Sequence, residues 1–235
     1  MGDNGNRADL LSEPAQSLRT GLARRAQEGL GPGTVPGNHM RLFVAIAPPS
    51  AVLDELYALV EPFRARRQEL RWTNREAWHV TLAFLGQVDE SAAARLMPRL
   101  ERAAWRHHSI SLAFSGAGAF PASGRANVLW SGLSGDRRAL ARLAESVGAG
   151  ARRAGAPPPD KGRRFQPHLT LARCRMPADV TDLVAALADY HGQPWTADHI
   201  HLVRSRLGGT EQPRYVSLGS WPLRAMDSAA GNPAP

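Results

Sequence analysis

Two short segments of this 235-residue chain carry the residue types for proton transfer near neutral pH: His79-Val80-Thr81-Leu82 and His168-Leu169-Thr170-Leu171. Histidine titrates close to neutrality, so one neutral and one protonated ring can coexist at about pH 6–7. One ring can then give a proton while the other takes one, which suits displacement at a phosphorus centre. The threonine hydroxyls and an imidazolium can hold the non-bridging phosphate oxygens as charge develops. No nucleophilic side chain is required, because water attacks.

Both segments read as strands, in which side chains alternate between two faces. His79 and Thr81 share one face, while Val80, Leu82 and Phe84 share the other and pack on helices. The second copy presents His168 and Thr170 together, with Leu169 and Leu171 behind them. Strict alternation puts Arg173 on the face away from His168, so it reads as structural. In a chain with eight His and eight Thr, chance matches to His-x-Thr-apolar number about 0.1.

The surroundings repeat as well. Leu42 to His79 spans 37 residues and Val128 to His168 spans 40. His79 to Ser109 spans 30 and His168 to His199 spans 31. Matching intervals indicate an internal duplication, and two copies make a pseudo-symmetric pair of lobes. The expected fold is α+β: two lobes with antiparallel-rich sheets lining a central cleft, helices outside. Its strands run over Arg41–Ala47, Trp78–Leu85, Ser109–Phe114, Asn127–Leu133, His168–Cys174, His199–Leu207 and Arg214–Leu218. Ser50, Asp89 and Asp136 read as helix caps, the last for a helix reaching Ala154. A further helix is expected over Asp179–Tyr190.

Residues 1–39 read as a disordered N-terminal extension, with a breaker cluster over 29–37 and Met40 as a second candidate translation start. The two-lobed domain is expected over 40–223 and a flexible tail over 224–235. No run of 18 apolar residues occurs, so no helical membrane span is expected. Cys174 is the single cysteine, which excludes an internal disulfide framework and fits a reducing cytoplasm. The net charge of +8 favours anionic partners such as RNA. Only one of the 29 basic residues is lysine, however, which also fits GC-rich coding.

The doubled His-x-Thr pattern resembles the 2H phosphoesterase superfamily. The segments Met40–Pro49, Trp78–Gly86, Phe165–Arg173 and Ser205–Leu218 are most similar to its bacterial RNA 2′,3′-cyclic phosphodiesterases, also described as 2′-5′ RNA ligases. The resemblance implies opening of a 2′,3′-cyclic phosphate at an RNA 3′ end to leave a 2′-phosphate. It implies His79 as proton donor to the leaving oxygen, His168 as proton acceptor from water, and Thr81 and Thr170 as phosphate-binding residues. The near-symmetry of the two copies leaves that direction open on sequence grounds alone. Other readings are RNA joining through a 2′-5′ linkage at the same site, and a non-catalytic module that binds RNA ends.

Arg163, Arg164 and Phe165 precede the second motif and are candidate RNA contacts, a basic pair beside an aromatic. Arg41 and Arg206 are weaker candidates for the cleft wall, and Trp72 and Trp78 read as core. His199 and His201 lie on one strand face without a nearby third metal ligand, so they read as an exposed pair. No metal and no nucleotide cofactor are expected. The expected partner is RNA or an oligonucleotide with a 2′,3′-cyclic phosphate end, acted on by a cytoplasmic monomer.

Overall fold

The computed structural model describes residues 39–156, 165–206 and 214–225. The expected extension before His39 and the tail beyond Ala225 lie outside the described residues, as do Arg163 and Arg164. One curled, antiparallel nine-stranded sheet organises the molecule. In chain order the strands are β1 (Met40–Ile46), β2 (Leu70–Trp72), β3 (Val80–Val88), β4 (Ile110–Phe120), β5 (Ala126–Gly135), β6 (Leu169–Ala178), β7 (Trp195–Ala197), β8 (His199–Arg206) and β9 (Arg214–Pro222). The helices are α1 (Ser50–Arg66), α2 (Glu90–Trp105), α3 (Arg137–Ala154) and α4 (Thr181–Ala186).

Across the sheet the order is β7-β4-β5-β6-β3-β1-β8-β9, with β2 added to the side of β6. The two expected lobes are therefore one continuous surface, joined where β3 meets β6. That junction is a single pair, Val80 opposite Leu169, both fully buried. These are the residues that follow the two histidines. The pseudo-twofold relation passes through them, so each motif meets its own copy head to tail.

Apolar side chains on the other face of the strands close the core against the helices. Leu96, Leu100 and Ala104 of α2 and Leu140, Leu143 and Val147 of α3 are fully buried, spaced at helical period. Each buried leucine contributes about 1.5–3 kcal/mol of transfer free energy. Asp89 and Asp136 cap their helices as expected, accepting from the Ala92 and Ala139 N–H groups at 2.8 and 2.9 Å. Ser50 does not: it is the first residue of α1, Pro49 holds the cap position, and no side chain bonds there. The fixed φ of proline pre-sets the helix entry instead. Trp72 and Trp78 are core, as read from the sequence.

The helix expected over Asp179–Tyr190 is shorter, Thr181–Ala186. Beyond it the chain runs beside β4, with the Gly116 N–H bonding the Tyr190 carbonyl at 2.9 Å and the Gly192 N–H bonding the Phe114 carbonyl at 2.9 Å. Arg67 fixes the start of this segment, donating to both carboxylate oxygens of Asp182 at 2.8 and 2.9 Å and to the Asp179 carbonyl at 2.8 Å. The short strands β2 and β7, three residues each, have no sequence period long enough to announce them.

Candidate active site

Each histidine stands just before its strand and is oriented by the backbone that leads into it. A single 3₁₀ turn, Arg75–Ala77, points the Ala77 carbonyl at the His79 ring, 2.7 Å from Nδ1. The Gln166 carbonyl does the same for His168, 2.8 Å from Nδ1. A carbonyl oxygen can only accept, so Nδ1 carries the hydrogen in both rings and Nε2 is left to exchange a proton. The two rings are thus prepared identically, each by the carbonyl two residues upstream.

A second shared device lies after the threonines. Along β1 and β3, the register shifts between the pairs Val44–Ala83 and Ala45–Thr81, which makes Leu82 an extra residue. Along β5 and β6, it shifts between Leu129–Ala172 and Trp130–Thr170, which makes Leu171 the equivalent extra residue. A β-bulge reverses the alternation beyond it. Leu82 and Ala83 are consequently both buried, as are Leu171 and Ala172.

This overturns two readings made from strict alternation. Phe84 does not pack on helices with Val80 and Leu82; the bulge turns it to the histidine face, where it is 57% exposed. Arg173 is not on the face away from His168. It is exposed on the same side, and its positive charge lowers the pKa of both His79 and His168. The residue opposite Arg173 on β2 is Arg71, also exposed. Like charges set directly across a sheet repel.

Aromatic walls complete the two half-sites. The His79 ring stacks on Phe43 at 4.7 Å between centroids and meets the edge of Tyr215 at 5.2 Å. The His168 ring meets Phe120 edge-on at 5.0 Å and lies 6.1 Å from Trp130. Trp130 lies flat across Gly118; a Cβ there would come within 2.3 Å of the indole. The β4 segment that brings Gly118 and Phe120 into place carries its own bulge, admitted by the positive φ of Gly116, 61°.

Desolvation dominates the electrostatics. Burial pushes the His79 pKa down to about 4; the Ala77 carbonyl opposes this, and Arg173 and His168 add to it. Burial also lowers His168, opposed by the Gln166 carbonyl and reinforced by Arg173. The lowered pKa values leave both rings predominantly neutral at pH 7. Tyr215 is raised by burial, although Arg173 and Arg41 pull it the other way.

The structure therefore brings His79, Thr81, His168 and Thr170 to one concave face. Both threonines are half-buried there. Phe165 is half-buried and packs against the core. Arg41 and Arg206 are exposed on β1 and β8. Among the described residues, no group of three His, Cys, Asp or Glu side chains could share a metal ion. No described helix is long and apolar enough to cross a membrane. Sequence reading passed over Arg173, Phe84, Phe43, Phe120, Trp130 and Tyr215 as site residues. For the first two, the signal was a run of two apolar residues after each threonine, Leu82-Ala83 and Leu171-Ala172.

A duplicated antiparallel sheet that turns two His-x-Thr strands into one concavity is the architecture of a two-histidine phosphoesterase. A model of the 2′-5′ RNA ligase superfamily matches residues 48–209, and the chain belongs to that superfamily. It is 32% identical over 146 residues to the RNA 2′,3′-cyclic phosphodiesterase of Archaeoglobus fulgidus, covering 62% of this chain and 79% of that one. It is 26% identical over 185 residues to the enzyme of the same name from Methanocaldococcus jannaschii, covering 77% of this chain and all of that one. Among solved structures, E. coli LigT complexed with 3′-AMP superposes with a TM-score of 0.63 at 26% identity, over 79% of this chain and 99% of that one.

Proposed function

We propose that the protein hydrolyses RNA 2′,3′-cyclic phosphate ends to 2′-phosphates, with His79 as general acid and His168 as general base. The observation that carries this reading is the shared preparation of the two rings: each donates Nδ1–H to a backbone carbonyl and keeps Nε2 for proton exchange. The names of the relatives supply the substrate class.

In this mechanism His168 Nε2 takes a proton from water as the water oxygen bonds to phosphorus. The bond from phosphorus to the ribose 3′-oxygen breaks, and that oxygen takes a proton from His79 Nε2. The 2′-oxygen keeps the phosphate. Burial lowers the His79 pKa, so an imidazolium formed there, with the bound phosphate as counter-charge, gives up its proton readily. The Thr81 and Thr170 hydroxyls donate to the non-bridging oxygens, and Arg173 neutralises their growing charge. Proton uptake on binding is a direct consequence, because neither ring is charged beforehand.

The test is turnover of a short RNA ending in a 2′,3′-cyclic phosphate, in EDTA, with products assigned by phosphorus NMR. A 2′-monophosphate from the intact protein, absent with His79→Ala or His168→Ala, is the expected result. RNA held without product would instead favour an end-binding module.

A further inference from the structure

The concave face continues beyond the two motifs. Thr81 pairs with Ala45 on β1 and Ala45 pairs with His201 on β8, so these three side chains share that face. His199 lies two residues further along β8 on the same side, its ring stacked on that of His201 at 6.4 Å. Two strand spacings across and two residues along put His199 about 12 Å from Thr81. There the face sinks into a groove of about 470 Å³ lined by Ser109, Ser111, Thr196, Asp198, His199 and Ala225, among others. Ser111 and Thr196 are an exposed cross-strand pair, on the side of β4 away from buried Ile110 and Leu112.

The groove forms where the two ends of the curled sheet approach each other. The Leu223 N–H bonds the Asp198 carbonyl at 2.7 Å, and the Ser109 N–H bonds the Arg224 carbonyl at 2.8 Å. Arg224 sits in the chain between the lining residues Leu223 and Ala225, and its guanidinium lies 6.0 Å from the ring of Trp105, which is 70% exposed. Exposed His108 stands beside it, held to the Ala225 carbonyl through Nδ1 at 3.1 Å.

We propose that this groove and its Trp105–Arg224 rim bind single-stranded RNA upstream of the reacting 3′ end. The proposal rests on the hydrolase reading of the two-histidine site. A span of 12 Å from the phosphate is roughly two to four nucleotides of a strand. The groove's polar groups match sugars and base edges better than phosphates. Ser109, Ser111 and Thr196 bring hydroxyls, and the Asp198–His199 pair, 3.0 Å apart, both accepts and donates. Ribose 2′-hydroxyls and unstacked bases have that same mixed character. The rim adds what a backbone and a base require, a guanidinium and a solvent-facing indole. A small multiply charged phosphate fits poorly beside the Asp198 carboxylate, whereas a polyanion gains from the net charge of +8.

Two substrates sharing one reactive end separate the groove from the chemistry: a nucleoside 2′,3′-cyclic phosphate and a single-stranded 12-mer ending in the same group. The intact protein is expected to favour the 12-mer by roughly tenfold in kcat/KM. Thr196→Glu combined with Arg224→Glu, and separately Trp105→Ala, should remove most of that preference through KM. Turnover of the mononucleotide should stay within about twofold, which also shows that each variant is folded. Equal kcat/KM for the two substrates in the intact protein, or a preference unchanged in both variants, overturns the proposal. Anisotropy of a labelled 12-mer bearing a 2′-phosphate provides a readout without catalysis. Should neither cyclic substrate turn over, the hydrolase reading fails, and the groove still stands or falls on whether the same variants weaken that binding.

Discussion

The halves around His79 and His168 share a backbone plan and differ in what the plan displays. Both use an upstream carbonyl to fix the tautomer, a half-buried threonine two residues on, and a bulge at the next leucine. The residue that each bulge turns into the cleft differs: Phe84 in one half, Arg173 in the other. The imidazoles also differ, His79 being stacked on Phe43 while His168 meets Phe120 edge-on. The duplication thus supplies two imidazoles with the same backbone preparation. Neighbouring side chains then break the equivalence, giving one half an apolar wall and the other a guanidinium.

Removing either histidine is the severest way to break the pair. His79→Ala and His168→Ala should each lower kcat by about 10²–10⁴-fold, the usual contribution of a general acid or base. Urea denaturation should show both variants folded. If one half alone carried the chemistry, one variant would keep near-normal turnover, and the comparison would collapse.

Proton linkage sharpens the contrast. The unfolded His79 ring binds its proton near the ordinary imidazole value of 6.5, and the folded ring only at about 4. The folded pKa is the lower one, so the unfolded chain takes up the proton first as pH falls. This contribution is whole above pH 6.5 and is lost as the pH drops towards 4, amounting to at most about 3 kcal/mol. His168 contributes with the same sign, because its pKa is also lowered. Denaturation midpoints at pH 7 and pH 4.5 should differ in the intact protein and differ much less in His79→Gln. An equal pH dependence in both would place the linkage elsewhere.

The architecture was legible because the duplication spaced two identical motifs at matching intervals, and because the helix-forming runs after Asp89 and Asp136 have clear caps and period. The lining of the site was less so. A bulge is a one-residue event that leaves composition unchanged, so alternation counted straight through it misplaced Phe84 and Arg173. Phe43, Phe120 and Tyr215 reach the histidines by strand pairing between residues far apart in the chain. Nothing in local spacing distinguishes them from core aromatics.

Arg173 tests whether the halves differ in role. Arg173→Met keeps the stem and removes the charge, costing one charge-assisted contact to phosphate, about 1.5–3 kcal/mol, or roughly ten- to a hundredfold in kcat/KM. It should also raise the pKa of both free histidines, visible by NMR titration, since Arg173 lowers both. Phe84→Leu at the equivalent position should leave those two titrations unmoved. A matching shift from Phe84→Leu would mean that the bulge positions are not differentiated by charge.

The threonines give the smallest effect and the most specific one. Val80 pairs with Leu169 in antiparallel register. Carrying that register one residue to either side sets Thr170 across from His79 and Thr81 across from His168. Under the proposed function, each hydroxyl would then serve the phosphate beside the other half's histidine, across the junction. Thr81→Val and Thr170→Val preserve shape and remove one donor each, so kcat/KM should fall by about 0.5–1.5 kcal/mol of binding, roughly two- to tenfold. Double-mutant cycles distinguish the crossed arrangement from two independent half-sites. Thr170→Val should couple to His79→Asn more strongly than to His168→Asn, and Thr81→Val the reverse, measured as affinity for a 2′-nucleotide product. Coupling within each motif instead would mean that the halves work side by side, with the Val80–Leu169 junction serving only as a hinge of the sheet.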